Sequence, residues 1–368
     1  MEIRRLKQEE AASAVQLSDQ VFRDSEQKSM GAAFPTLFLP EVIDHSYGCF
    51  IDGKLVSFMG LSPGVLRVGP AKLSIYSLGS VCTDPKSRGK GYASKILEAI
   101  MGDMRQTDAS LMLISGGRSL YTRVGCHPFG KTKTFYVKKE DVTQNVRPDT
   151  ATFREAKTTD ILGIARLAAE RKVAYEQTVH DIALLIKSEA YASCIKRQHR
   201  VWVAERQGEL AAYLIFALPY RKDVETDAVA IEWGGEAELV KALVDVTLQR
   251  LSLVQFKLCV PWFETALINA FNHVEMKSGV NYGTVYVSDP KKLFHQLTPY
   301  LDDHHPEFLQ KTAVKISKIG VELEYDGKII KLAPDAFISF LFTPGDGIVP
   351  GIGNLAVPLP YTAGLNYI

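Results

Sequence analysis

The chain has 368 residues, more than one hydrophobic core usually organises, so two or three domains are expected. Its 46% hydrophobic and 23% charged residues are ordinary for a globular protein, and 43 basic against 42 acidic side chains leave a net charge of +1, which favours neither nucleic acid nor an anionic membrane surface. The start, MEIRRLKQEE, lacks an apolar signal region, and nothing approaches the roughly 18 apolar residues of a membrane span, so a soluble cytoplasmic protein is expected.

Residues 2–6 read as a strand, and Ala14, Leu17, Val21 and Phe22 give the following segment a helical face. Residues 49–51 turn at Asp52-Gly53 into a second strand over 55–59. A strand at 73–81, a helix at 92–105 and a strand at 111–114 complete the first set. Residues 152–156 restart the same order after about 150 residues, the spacing of an internal repeat. There Thr159-Asp160 cap a helix bearing Ile161, Ile164, Leu167 and Ala168, a hairpin turns near Gln207-Gly208, and strand, helix and strand follow at 228–233, 237–251 and 256–260. Alternation of this kind implies an α/β core with mixed sheets.

Beyond about residue 286 the pattern becomes α+β: a helix over 290–303, strands at 313–317, 321–325 and 328–332 joined at Gly320 and Asp326-Gly327, and a closing helix opened by Pro334. The last stretch, 344–368, is rich in Gly and Pro but keeps Leu355, Val357, Leu359, Leu365, Tyr367 and Ile368, so it is expected to dock in extended form. Cys49, Cys82, Cys126, Cys194 and Cys259 are odd in number and scattered, as reduced thiols are.

Chemistry concentrates between the strand at 73–81 and the helix at 92–105. A pyrophosphate needs unpaired N–H groups and the positive end of a helix dipole. Arg88-Gly89-Lys90-Gly91-Tyr92-Ala93-Ser94 supplies them: Gly89 and Gly91 clear the approach, Ala93 keeps the first turn narrow, and Arg88 and Lys90 add positive charge. Tyr121 follows the next strand and a Gly116-Gly117 turn, which is taken with the same site.

Arg88-x-x-Gly91-x-Ala93 resembles the signature of the GNAT acetyltransferase superfamily, and residues 120–126 resemble its short helix bearing a catalytic tyrosine. Two such units followed by a sterol-carrier-like domain resemble the enhanced-intracellular-survival family of aminoglycoside N-acetyltransferases across essentially the whole chain. The resemblance implies a catalytic domain at 1–149 that binds acetyl-CoA, a degenerate copy at 150–285 shaping the substrate cleft, and a small α+β domain at 286–368 whose tail returns to the active site. It also implies direct transfer of acetyl to an amine of a cationic small molecule, with no metal, and assembly as trimers or hexamers.

In that scheme main-chain N–H groups of Val81, Cys82 and Thr83 polarise the thioester carbonyl, and Tyr121, a phenol of pKa about 10 in water, protonates the leaving thiolate. The carboxylate of Ile368 is the implied base. His127 is an alternative base, though a histidine beside a turn is more often structural, and His304-His305 reads as an exposed loop and not a metal site. In the second copy Glu236 and Glu238 stand where phosphates would sit, so that copy is expected to be silent, with Glu225, Asp227 and Glu232 weighed as attractors for a cation. Lys315, Lys318, Glu322 and Glu324 give the third domain a solvated sheet face, which suits a role in positioning the tail. The alternatives are a lipid or acyl-CoA sensor without turnover and a protein-lysine acetyltransferase.

Overall fold

The computed structural model describes residues 1–142, 151–220, 226–317, 320–347 and 349–368; Glu225 and Lys318 lie outside them. Two compact units emerge, one of Met1–Gly130, Tyr282–Thr362 and Ile368, the other of Lys131–Asn281 and Ala363–Tyr367.

The first unit opens with β1 (Glu2–Arg5), α1 (Ala11–Phe22), α2 (Met30–Ala33) and α3 (Pro35–Phe38). Then come β2 (Tyr47–Ile51), β3 (Lys54–Val68), β4 (Ala71–Thr83), α4 (Tyr92–Met104), β5 (Leu111–Ile114) and α5 (Ser119–Thr122). The sheet runs β1-β2-β3-β4-β5, antiparallel as far as β4 and parallel from β4 to β5, because α4 carries the chain back across one face. Ile96, Leu97, Ile100, Met101 and Met104, spaced three and four apart, form the stripe that α4 buries there. β3 outruns the expected 55–59, continuing through Pro63 and Gly64 to Val68.

The second unit contains β6 (Thr132–Lys138), β7 (Ala151–Glu155), α6 (Ile161–Ala169), β8 (Val173–Tyr175), α7 (Val179–Ser188), α8 (Ala190–Cys194), β9 (Arg197–Arg206) and β10 (Glu209–Pro219). β11 (Asp227–Gly235), α9 (Ala237–Arg250), β12 (Gln255–Pro261), α10 (Thr265–Ala270) and β13 (Met276–Gly279) complete it. Its sheet order is β13-β6-β12-β11-β10-β9-β7. Both faces are covered: Trp202, Leu214 and Phe216 enter the core shared with α9, while their neighbours Val203, Tyr213 and Ile215 enter the core shared with α6 and α7. The ten residues Leu239 to Leu248 of α9 are all buried, and the charged pair among them, Lys241 and Asp245, meets at 2.7 Å.

Returning to the first unit, β14 (Thr284–Val287) adds to β5, then α11 (Pro290–His304), α12 (Pro306–Lys311), β15 (Thr312–Ser317), β16 (Gly320–Tyr325), β17 (Lys328–Leu332) and α13 (Pro334–Phe342) follow. The expected boundaries near 149 and 285 therefore differ from those the packing defines. β6 lies in the span expected for the first domain but pairs with β12, and Phe135 and Val137 enter the second core. β14 pairs with β5 instead. The expected third domain also falls within the first unit. Gln296 on α11 accepts from Ser74 N–H at 3.1 Å and Ser110 Oγ at 2.6 Å, and donates to Asp108 O at 2.8 Å.

Candidate active site

β4 is the strand on which the expected site residues converge. Its parallel ladder with β5 runs from Ile75↔Leu111 to Leu78↔Ile114, closed by Ser115 N–H donating to Leu78 O at 3.3 Å. β5 ends there while β4 continues, paired on its other side to β3. Gly79 to Thr83 therefore keep one edge without a ladder partner among the described residues, and the main chain of Val81, Cys82 and Thr83 lies on this stretch. A bulge marks the parting: Gly60 opposes Gly79 and Phe58 opposes Cys82, so Met59 faces the two residues Ser80 and Val81.

The chain then forms a tight turn, Asp84 capping it by accepting from Lys86 N–H at 2.8 Å, before α4 begins. Gly89 and Gly91 have φ of +77° and +78°, a region costly for any residue with a Cβ. No protein atom lies within 4 Å of where a Cβ would stand at either, so both turn toward open space. The first helical bond of α4 runs from Lys95 N–H to Gly91 O at 3.2 Å, and no side chain caps the helix. The N–H groups of Tyr92, Ala93 and Ser94 thus lack helical acceptors, beside the exposed Arg88 and Lys90. These residues fit a pyrophosphate: donors, dipole and cations converge on a space that Cβ atoms at Gly89 and Gly91 would fill.

Tyr121, on α5, is 4% exposed and belongs to the buried cluster that holds Leu78, Ile96, Ile114 and Cys126. A Cβ at Gly116 would stand 3.4 Å from its ring, and Gly116 O accepts the Thr284 hydroxyl at 2.9 Å, whereas Gly117 is open. Burial pushes the Tyr121 phenol up to about 12, which keeps it protonated at neutral pH and able to donate. The same cause lifts the buried Cys126 thiol to about 12, the reverse of what a reactive thiolate needs. His127 pairs its backbone with the other edge of β14, donating to Val285 O at 3.0 Å and accepting from Val285 N–H at 2.9 Å.

The apolar tail is docked. Leu355 and Val357 N–H donate to Phe340 O at 3.0 Å and Leu341 O at 2.7 Å, and Leu355, Val357 and Leu359 are buried. Asn354 anchors the turn before them, its Nδ2 donating to Ser339 O and Thr343 O at 3.0 Å each and also to Asp346 O. Ile368 lies against β4, where a Cβ at Gly79 would come 2.4 Å from its carbonyl carbon and 2.6 Å from its oxygen. Sequence reasoning passed over Gly79, although a glycine inside a strand is a signal of close backbone approach.

The second unit repeats the parting without the cradle. Its β11–β12 ladder spans only Asp227↔Gln255 to Val229↔Lys257. Past it, Arg171 hydrogen-bonds Glu232 and reaches Glu264 at 2.9 Å. The residue before α9 is Glu236, held by Arg206 at 2.7 Å. A cavity of about 680 Å³ opens here, lined by Arg171, Arg206, Trp233, Glu236, Phe263 and Glu264 among others. Asp227 is also neutralised, by Arg197 at 2.6 Å, so neither it nor Glu232 is a bare attractor for a cation. His304 Nδ1 meets Tyr300 O at 2.9 Å and His305 Nε2 meets Leu355 O at 3.0 Å; each ring is tied to a carbonyl. Among the described residues no helix is long and apolar enough to cross a membrane.

A mixed sheet that parts at a bulge beside a glycine-framed helix start is the architecture of an acyltransferase that takes its acyl group from coenzyme A. Residues 2–129 match the family model described as the acetyltransferase (GNAT) domain, and the chain, which carries that domain, is an N-acetyltransferase. No curated protein matches the chain. Among solved structures, a conserved protein of unknown function and probable N-acyltransferase from Enterococcus faecalis V583 is similar over 90% of this chain and 85% of its own, with TM-score 0.65 and 14% identity. Eis1 from Mycobacterium abscessus aligns over 92% and 89% with TM-score 0.61 and 11% identity. A GCN5-related N-acetyltransferase from Kribbella flavida aligns over 100% and 98% with TM-score 0.60 and 12% identity. At these identities the likeness is one of fold, and it extends the mixed-sheet GNAT-like architecture across both halves of the chain.

Proposed function

We propose that the protein moves an acetyl group from acetyl-CoA to a primary amine of a cationic small molecule, of the aminoglycoside or polyamine kind, by direct transfer in a ternary complex. The observation that carries this reading is the convergence at β4 of an unpaired main-chain edge, the glycine-framed helix start beyond it, Tyr121 in the same buried cluster as Leu78, and Ile368 resting on Gly79. Arg88 to Ser94 bind the pyrophosphate, with Gly116 and Gly117 shaping the neighbouring turn. Main-chain N–H groups among Val81, Cys82 and Thr83 hold the thioester carbonyl and stabilise the charge that develops on its oxygen. Tyr121 gives its proton to the departing thiolate, and the Ile368 carboxylate takes the proton that the ammonium must lose. A carboxyl of pKa about 3.5 in water is a weak base, so its seat against the strand, or one bridging water, has to compensate. The acceptor class follows the resemblance read from the sequence.

A thiol-release assay with acetyl-CoA and a panel of aminoglycosides, polyamines and lysine peptides tests the reading. Turnover is expected with the small polyamines or aminoglycosides. Coenzyme bound without thiol release from any amine would overturn it, and turnover with peptides alone would move the acceptor to protein lysine. The reading also assigns one coenzyme per chain, because Glu236 and Glu238 oppose phosphates at α9; two equivalents by calorimetry would contradict that.

A further inference from the structure

We propose that Ser80 positions the acceptor amine, accepting a hydrogen bond from its ammonium through a hydroxyl that the β4 bulge turns toward α1. The inference rests on the acyl transfer proposed above and adds a residue to its acceptor side.

In an unbroken strand, residues 78, 80 and 82 would share one face. Here Leu78 packs with Ile96 and Ile100 of α4, whereas Ser80 and Cys82 both reach Ser18 of α1. The extra residue in the ladder makes the switch, and it falls next to Gly79, on which Ile368 rests. Ser80 is held at φ of +50°, where glycine or asparagine would sit more easily. A serine kept in that conformation directs attention to its hydroxyl.

The hydroxyl is oriented. Ser80 Oγ–H donates to Ser18 Oγ at 3.1 Å, and Ser18 Oγ in turn lies 3.6 Å from Cys82 Sγ. Ser18 and Cys82 are buried, so this chain runs inward, and burial keeps the Cys82 thiol neutral by pushing it up to about 11. With its hydrogen committed inward, Ser80 offers lone pairs only. Such a group suits a partner with hydrogens to give, as an ammonium has, and the side chain is half-buried, not sealed in the core.

Ser80→Ala removes the hydroxyl, and Ser80→Gly removes it while relaxing the backbone. Both are expected to raise KM for the amine roughly tenfold or more, the loss of one charge-assisted hydrogen bond, with KM for acetyl-CoA unchanged. Equal amine defects in the two variants separate the hydroxyl from the bulge geometry. An unchanged amine KM in Ser80→Ala overturns the proposal, as does a parallel rise in both KM values, which would make Ser80 a structural residue. Wild-type protein that acetylates no amine would instead bring down the function reading, and this inference with it.

Discussion

Gly79→Ala is the sharpest test of a tail that works at the reacting centre. Gly79 does not lie in the left-handed region, so alanine can adopt its backbone and the perturbation is purely steric. The new Cβ would stand 2.4 Å from the carbonyl carbon of Ile368, whereas ordinary contact begins at about 3.4 Å, so Ile368 must withdraw by about 1 Å. A displacement of about 1 Å in a positioned catalytic group costs on the order of 100-fold in rate, or about 2.7 kcal/mol of barrier. Steady-state thiol release should therefore show kcat/KM for the amine falling about 100-fold while KM for acetyl-CoA holds. Removing Ile368 should cost a similar amount, and the two changes combined should cost little more than either, because both displace the same group. Wild-type kcat/KM in Gly79→Ala, or losses that multiply in the combination, would refute the placement of the base.

Three further changes probe the rest. Tyr121→Phe keeps the ring among Leu78, Ile96 and Ile114, so thermal stability should hold while kcat falls 10²- to 10⁴-fold, and an unaffected kcat would remove Tyr121 as the acid. Because burial raises this phenol to about 12, it is protonated below that pH and loses its proton only above it, so the wild-type kcat profile between about pH 7 and 10 should show no falling limb from Tyr121. Gly91→Ala forces a Cβ onto φ of +78° and into the cradle's open space, and calorimetry should show coenzyme affinity reduced at least tenfold with only about 1–2 kcal/mol lost from folding. Asn354→Asp would set a carboxylate against the carbonyls of Ser339, Thr343 and Asp346, and denaturant unfolding should register a loss of about 2–4 kcal/mol, more than Asn354→Ala.

The turn into α4 was legible because its determinants are local: two glycines at positive φ and a helix start are properties of seven consecutive residues. Element order was legible for the same reason, since α1 and α6 each show apolar residues at helical spacing, Ala14 and Leu17 in one and Ile164 and Leu167 in the other. Strand assignment was not. Thr132–Lys138 alternates Phe135 and Val137 with polar residues, and that alternation fits the edge of either sheet; only packing assigns it to β12. Nor could composition announce the bulge, because one additional residue in a ladder leaves the apolar period of β4 nearly intact while reversing where Ser80 points. The ion pairing of the second unit was hidden for a related reason. Glu232 reads as a free anion until Arg171, 61 positions earlier, is folded against it.

The two partings in the sheets separate the contribution of the fold from that of chemistry. In both units a parallel pair opens after a short ladder, β4 from β5 and β11 from β12, and a helix begins just beyond. At α4 the opening is framed by left-handed glycines, exposed cations and unpaired N–H groups. At α9 the residue before the helix is Glu236, already bound to Arg206, and the strands past the ladder are linked through Arg171 to Glu232 and Glu264. An anion entering there would meet carboxylates at the positive end of the helix and would have to displace pairs that already satisfy one another. The helix dipole is common to both openings, so it cannot by itself select a coenzyme; what distinguishes them is whether the local charges are left open or closed within the protein. Breaking the Arg171 and Arg206 pairs would still leave Glu236 and Glu238 at α9, so restoring a cradle there would require reversing charge and adding glycines, not merely opening space.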